Sequence, residues 1–278
     1  MTALAHLWDL PWENLSLSSR GIHVWCASLD QSASAFQQLS KTLSADERMR
    51  AERFYYERDR KRFIVRRGLL RTILDCYLGI EPDRLHFRYG AHGKPKLAET
   101  LKGDNLRFNL SHSHGLALYA IARDQEIGVD IECVRPIPEA KQIAENYFST
   151  REYDDFRALS EQERLVAFFN CWTRKEAYLK ALGFGLTRSL DEFDVSLAPG
   201  ESARLLSIKG DPEKASRWFL QDLMPASNYV AALAVKGQDA QFTFWQLGSC
   251  LPGTKTSILE PNRVRDTAKK RNYRRKHE

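Results

Sequence analysis

The order of the elements that can be read from this chain constrains its fold more than any other feature. From Ile22 a strand, then helices, then strands run to about Arg123, and strand, helices and strands recur to about Leu247. A chain that runs through that order twice folds as two α/β halves, each burying the apolar side of a helix on a sheet. The expected class is therefore α+β, with an N-terminal half over 1–123, a C-terminal half over 124–247 and a remainder over 248–278. No residue-level repeat accompanies the symmetry.

Local signals place the elements. Ile22, Val24 and Cys26 alternate with His23, Trp25 and Ala27, the period of a strand. Ser44 with Glu47 is a capping-box pattern, and helical spacing of Phe63, Leu70, Ile73, Leu74 and Tyr77 continues to a stop at Gly79, with a break expected near Glu57–Arg60. Leu85–Tyr89 reads as a short strand and Gly90–Pro95 as a loop. Leu106–Leu110 and Leu116–Ala122 read as strands around a turn rich in Ser and His, followed by a strand at Ile127–Cys133. After a helix from about Glu139, capping boxes recur at Ser149/Glu152 and Ser160/Glu163, and the latter opens the longest clear helix, Glu161–Leu182, closed by Gly183. Five strands follow: 192–197, 203–208, 218–223, 229–235 and 242–247.

Charge and cysteine use narrow the function classes. The 278 residues hold 42 Lys+Arg against 36 Asp+Glu, a net +6. From Arg263 to Glu278 there are eight basic and two acidic residues, so the whole surplus sits there and residues 1–262 are neutral. The globule is thus no nucleic-acid-binding body, and the basic tail reads as poorly ordered and peripheral to the chemistry. No apolar run approaches the roughly 20 residues of a membrane span, and Met1–Pro11 lacks the pattern of a secretory signal. The cysteines at 26, 76, 133, 171 and 250 form neither a disulfide framework nor a CxxC pair, as expected of reduced thiols in the cytoplasm. The chain contains neither GxxxxGK[ST] nor GxGxxG.

Two blocks carry chemistry. In Arg107–Glu132, Asp130 and Glu132 stand two apart on a predicted strand and so leave the same face. Carboxylates held together repel unless a cation lies between them. A hard divalent ion with oxygen ligands fits the pair, and one acid turned to solvent from an edge strand is the alternative. In Cys171–Gly185, Trp172, Glu176 and Lys180 share a helix face, either as a surface ion pair or as a stripe facing a cleft. Arg62 with Arg66, and Arg67 with Arg71, stack like charges at i, i+4, which calls for an opposing anion or for carboxylates such as Glu57, Asp59 or Asp75. His112 and His114 have no Cys or third His nearby to complete a metal site.

The chain has, in order, Gly93-Lys94-Pro95, Phe108-Asn109-Leu110-Ser111-His112-Ser113, Gly128-Val129-Asp130-Ile131-Glu132 and Trp172-Thr173-Arg174-Lys175-Glu176-Ala177-Tyr178-Leu179-Lys180. This succession resembles the signatures of the 4′-phosphopantetheinyl transferases of the surfactin-synthetase-activating (Sfp) type. The resemblance implies two similar halves in pseudo-two-fold arrangement with the active site between them, in a monomer. It implies transfer of phosphopantetheine from coenzyme A to a serine of an apo acyl or peptidyl carrier protein, releasing adenosine 3′,5′-bisphosphate. Asp130, Glu132 and Glu176 match the Mg²⁺ ligands (Mn²⁺ as substitute), with Glu176 also the candidate base. Lys180, with Lys175 assisting, matches the pyrophosphate contact. His112 and Ser111, Lys94 and Pro95, Arg62 and, more remotely, Arg50 fall on the coenzyme A side. Most carrier proteins of this kind are acidic. A metal-dependent phosphodiesterase using the same acids, and an anion-binding module working through the tail, are the rival classes. Neither membrane nor nucleic acid is an expected partner.

Overall fold

The computed structural model describes residues 15–90, 93–98, 105–183 and 189–247; the basic tail, Cys250 and part of the expected Gly90–Pro95 loop lie outside the described residues. The chain opens with β1 (Gly21–Ser28), α1 (Ala33–Lys41), α2 (Ala45–Glu52) and α3 (Glu57–Leu78). A hairpin of β2 (Phe87–Tyr89) and β3 (Pro95–Leu97) precedes β4 (Leu106–Ser113), β5 (Leu116–Arg123) and β6 (Ile127–Cys133). Then come α4 (Ala140–Tyr147), α5 (Thr150–Ala158), α6 (Glu161–Leu182), β7 (Phe193–Val195), β8 (Leu205–Ile208), α7 (Pro212–Ala215), β9 (Trp218–Leu223), β10 (Tyr229–Lys236) and β11 (Gln241–Leu247).

Two sheets dominate, ordered β11-β1-β5-β4 and β6-β10-β9. Strand alternation sorts their side chains into three apolar layers. Trp25 and Ala27 of β1 and Tyr119 and Ile121 of β5 pack with Val65, Leu69, Leu70 and Ile73 of α3. The opposite faces, Ile22, Val24 and Cys26 with Leu118, Ala120 and Ala122, meet Ile127, Val129, Ile131, Leu233 and Val235 of the second sheet. Phe168, Phe169, Tyr178 and Leu179 of α6 pack with Leu220, Ala232 and Ala234 on that sheet's far side. Helix, sheet, sheet and helix are thus stacked, with α3 and α6 each 22 residues long. Each fully buried Leu, Ile or Val side chain contributes about 1.5–3 kcal/mol by leaving water.

Three local expectations change. The Ser-His-rich stretch is not a turn: Ser111, His112 and Ser113 extend β4, and the reversal falls at His114, with φ 51°, and Gly115. The helical break falls earlier, at 53–56, between α2 and α3. The helix α1, capped by Ser32 accepting from Ala35 N at 3.2 Å, was not anticipated. The first sheet also takes its outer strand from the far end of the sequence, because β11 runs parallel to β1 with Gly21 opposite Gln241. The division at 123/124 is therefore crossed by this strand.

Candidate functional site

The register of β6 explains why its acids are where they are. Ile127, Val129 and Ile131 fill the layer between the sheets, so Gly128, Asp130 and Glu132 project to the other side, under α6. A Cβ at Gly128 would lie 2.1 Å from Ala177 O and 2.3 Å from Ala181 N, so only glycine lets the helix backbone sit directly on the strand. The capping box at Ser160, whose N donates to Glu163 Oε2 at 3.2 Å, and Gly183 at φ 79° fix where that helix begins and ends. Glu176 and Lys180, one turn apart, are thereby held over the acids.

The edge strand β4 supplies the other wall. On the face that β1 and β5 keep apolar, β4 carries Asn109, Ser111 and Ser113, and these join the two sheets by side chains instead of a backbone ladder. Val129 N donates to Asn109 Oδ1 at 2.8 Å, Ser111 Oγ to Asp130 Oδ1 at 2.8 Å, and Ser113 Oγ to Glu132 Oε2 at 2.9 Å. Lys180 Nζ reaches Asp130 Oδ1 at 2.5 Å and Ser111 Oγ at 3.0 Å. Asp130 is 3% exposed.

Charge is incompletely balanced there. Asp130 Oδ2 and Glu176 Oε1 are buried and have no hydrogen-bond partner. Burial, then the nearby Asp130 and Glu132, pushes the Glu176 carboxyl up to about 7, against the pull of Lys180. Burial and Asp130 likewise raise Glu132. Two orphaned carboxylate oxygens beside a third acid match the oxygen-only donor chemistry of a hard divalent cation. Among the described residues no three such side chains are already gathered as a ligand set, and Lys180 stands on one Asp130 oxygen.

Glu176 and Lys180 line a cleft of about 370 Å³ with Arg50, Phe63, Arg66, Lys94, Pro95, Ser111 and His112, in the size range of small-ligand sites. Arg66 Nη1 donates to His112 Nδ1 at 2.8 Å, and Arg66 Nε is buried without a partner. Burial, then Arg66, Lys180 and Arg62, pushes the His112 imidazole down to about 3, and burial lowers Arg66 to about 10. Burial in this pocket disfavours the charged forms of both groups, and an anion placed against them would oppose both shifts.

Several expected site residues have other partners. Arg62 forms a two-pronged pair with Asp30, Nε to Oδ1 at 3.0 Å and Nη2 to Oδ2 at 2.9 Å; Arg66, its neighbour in the stack, is the arginine at His112. Arg67 and Arg71 pair with neither Glu57, Asp59 nor Asp75 but with buried Glu47, the latter at 2.7 Å. Lys94 lines the cleft with its stem, while its ammonium donates to Lys180 O at 2.6 Å, Ile127 O at 3.2 Å and Ala181 O at 3.3 Å. It caps the last turn of α6 and ties it to the start of β6, and burial lowers its pKa to about 8. Lys175 is corrected outright: it is 1% exposed, paired with Glu152 at 2.7 Å, and donates to Leu190 O and Phe193 O at 2.6 Å each. One position before Glu176, it leaves the helix toward the interior and cannot assist in the cleft. Arg50 is exposed, with its guanidinium 5.5 Å from the Phe63 ring centre.

The α+β fold brings a cluster of acids and a set of basic groups to one cleft, and comparison with known proteins gives the class its name. Residues 126–234 match the family profile "4'-phosphopantetheinyl transferase superfamily", and 27–124 match "4'-phosphopantetheinyl transferase, N-terminal". The chain belongs to the 4′-phosphopantetheinyl transferase superfamily. It is 43% identical over 242 residues to 4'-phosphopantetheinyl transferase HetI of Nostoc sp., covering 87% of this chain and 99% of that protein. It is 32% identical over 155 residues to 4'-phosphopantetheinyl transferase Sfp of Bacillus subtilis, covering 56% of this chain and 66% of that one. A Mus musculus protein, L-aminoadipate-semialdehyde dehydrogenase-phosphopantetheinyl transferase, is 27% identical over 238 residues, covering 80% and 77%. Among the described residues no helix is long and apolar enough to cross a membrane.

Proposed function

We propose that the cleft between β4, β6 and α6 transfers the 4′-phosphopantetheine of coenzyme A to a serine hydroxyl of an apo acyl or peptidyl carrier protein, with Mg²⁺, releasing adenosine 3′,5′-bisphosphate. Membership of the transferase superfamily supports the reaction. The observation that carries the site is the convergence of Asp130, Glu132, Glu176 and Lys180 beneath a helix that Gly128 lets down onto its strand.

In this reading Asp130, Glu132 and Glu176 hold the cation. When bound, it supplies positive charge that offsets the charge growing on the pyrophosphate oxygens. Glu176 takes the serine proton as the serine oxygen attacks the β-phosphorus. The bond from that phosphorus to the bridging oxygen breaks, and the leaving phosphate keeps the electron pair. Lys180, released from Asp130, donates to the departing oxygen, and Ser111 holds Asp130 in place meanwhile. Positioning and charge compensation supply most of the acceleration in transfers of this kind. Arg66 and His112 form the 3′-phosphate end, with Arg50 at its rim; Lys94 and Pro95 contribute the loop wall on the nucleotide side. Arg62 joins that end only by exchanging Asp30 for phosphate. The same reading has the protein work as a cytoplasmic monomer.

The experiment is a panel of purified apo carrier domains with coenzyme A, scored by mass gain on the carrier serine. Transfer to at least one carrier is expected, lost in excess EDTA and restored by Mg²⁺ or Mn²⁺; nuclease activity without transfer would establish the rival phosphodiesterase. His112→Ala is expected to raise KM for coenzyme A by about tenfold, the scale of one lost charge-assisted contact, and to leave KM for 3′-dephospho-coenzyme A nearly unchanged. Equal increases for both would remove His112 from the 3′-phosphate end.

A further inference from the structure

Four of the seven large hydrophobic side chains exposed among the described residues fall within residues 49–56: Met49 at 57%, Phe54 at 37%, Tyr55 at 92% and Tyr56 at 65%. They sit at the end of α2 and in the link to α3, and the link is not slack. Arg53 N donates to Arg50 O at 3.2 Å, Phe54 N to Ala51 O at 3.3 Å and Arg60 N to Tyr56 O at 3.0 Å. The Phe54 ring packs 5.2 Å from Phe63, and Tyr55 and Tyr56 meet edge to face at 4.9 Å. A cluster of exposed aromatic side chains is characteristic of contact surfaces.

Two further observations say what would cover this ridge. From Arg50 to Arg62 the sequence carries six basic and three acidic residues; Arg58, Lys61 and Arg62 pair with Asp59, Glu57 and Asp30, which leaves Arg50, Arg53 and Arg60 against Glu52. The ridge therefore has a basic rim and complements an acidic partner. The ridge also borders the site: Phe54 and Arg58 line a recess shared with His112 and His114, and Phe63, Arg66 and His112 line both that recess and the cleft of Glu176 and Lys180. A side chain as exposed as Tyr55 projects outward, whereas small ligands are held in concave sites; its occupant is a protein.

We propose that the Met49–Tyr56 ridge is a docking surface for the carrier-protein substrate, with an acidic face of the carrier against the basic rim and its apolar residues on Tyr55 and Tyr56. This rests on the transferase reading above. The carrier's serine then enters the cleft of Glu176 and Lys180 past the Phe63, Arg66 and His112 wall that the cleft shares with the recess beside the ridge.

The test uses the full-length protein and the apo acyl or peptidyl carrier from the panel that is modified fastest. Two variant pairs are made at exposed positions, Tyr55→Ser with Tyr56→Ser and Arg53→Glu with Arg60→Glu. Each pair is expected to raise KM for the carrier by about tenfold, as loss of an aromatic or charged anchor does, with kcat and KM for coenzyme A within about twofold. The charge-reversed pair should also flatten the dependence of kcat/KM on salt. Carrier KM within about twofold in both pairs overturns the proposal, as does a rise in coenzyme A KM in step with that of the carrier. If sedimentation shows a dimer that the Tyr pair dissociates while carrier KM holds, the ridge is a contact between copies of this chain. A wild-type protein that modifies no carrier would refute the transferase reading itself, an outcome distinct from unaffected variants.

Discussion

Gly128→Ala is expected to reduce transfer by about a hundredfold or more and to destabilise the protein. The added Cβ would stand 2.1 Å from Ala177 O, 2.3 Å from Ala181 N and 2.9 Å from Lys180 C, all backbone atoms of a hydrogen-bonded helix that cannot step aside singly. The helix must lift as a body, on the order of 1 Å, and overpacking of this kind costs about 1–3 kcal/mol. Lifting moves Glu176 and Lys180 away from Asp130 and Glu132 together. A misplacement of that size costs roughly a hundredfold in rate where geometry supplies the catalysis. Thermal unfolding and single-turnover kinetics on the same preparation separate the two effects. A variant with wild-type kcat would mean that the helix position does not set the chemistry.

Glu176→Gln is expected to pull stability and activity in opposite directions. In the folded protein without metal the carboxyl is raised from 4.5 to about 7, chiefly by burial and by Asp130 and Glu132. A raised acid binds its proton more tightly folded than unfolded, so its charged form destabilises the fold. The penalty is absent below about pH 4.5, grows through the interval to about pH 7 and is complete above it, amounting to about 3 kcal/mol at 1.36 kcal/mol per pKa unit. The amide has no such penalty. Metal-free Glu176→Gln should therefore melt higher than wild type at pH 8 and nearly level with it at pH 4.5. Loss of a proton-accepting group typically lowers the rate by 10²–10⁴-fold, so kcat should fall on that scale. Mg²⁺ should raise the melting temperature of the wild type and much less that of the variant. Equal melting of the two proteins at pH 8, with equal response to Mg²⁺, would show that the carboxylate is neither strained nor a ligand.

What the sequence discloses here follows from how local each cause is. The strand Ile127–Cys133 and the helix Glu161–Leu182 match their sequence readings because alternation, the Ser160 cap and Gly183 act over a few residues. The shared face of Asp130 and Glu132 follows from strand period alone. That this face is turned under α6 depends on Ile127, Val129 and Ile131 being claimed by the other sheet, a choice made by tertiary packing. Long cationic side chains were least legible, because their ends lie far from their own backbone. Lys94, Lys175, Arg62 and Arg71 all end on partners distant in sequence, Lys180 O, Glu152, Asp30 and Glu47. Arg66 and Arg62 stand one turn apart in the same stack, yet Arg62 ends on Asp30 and Arg66 on His112 in the cleft. The Ser-His stretch resembled a turn by composition, yet its serines are there to bond Asp130 and Glu132 across the seam.

The parallel pairing of β1 with β11 also bears on how the chain is made. A ribosome delivers β1 first and β11 after every other described strand, so the open edge of β1 must wait for its partner through almost the whole of translation. The N-terminal sheet then cannot mature as a finished module ahead of the rest, and the slow step of folding should be the long-range closure that seats β11. A chain stalled or cut before Gln241 would present the edge of β1, flanked by Trp25, to other nascent chains. Seating of β11, the last of the described strands, thus closes the edge of β1 only once the chain has been made through Leu247.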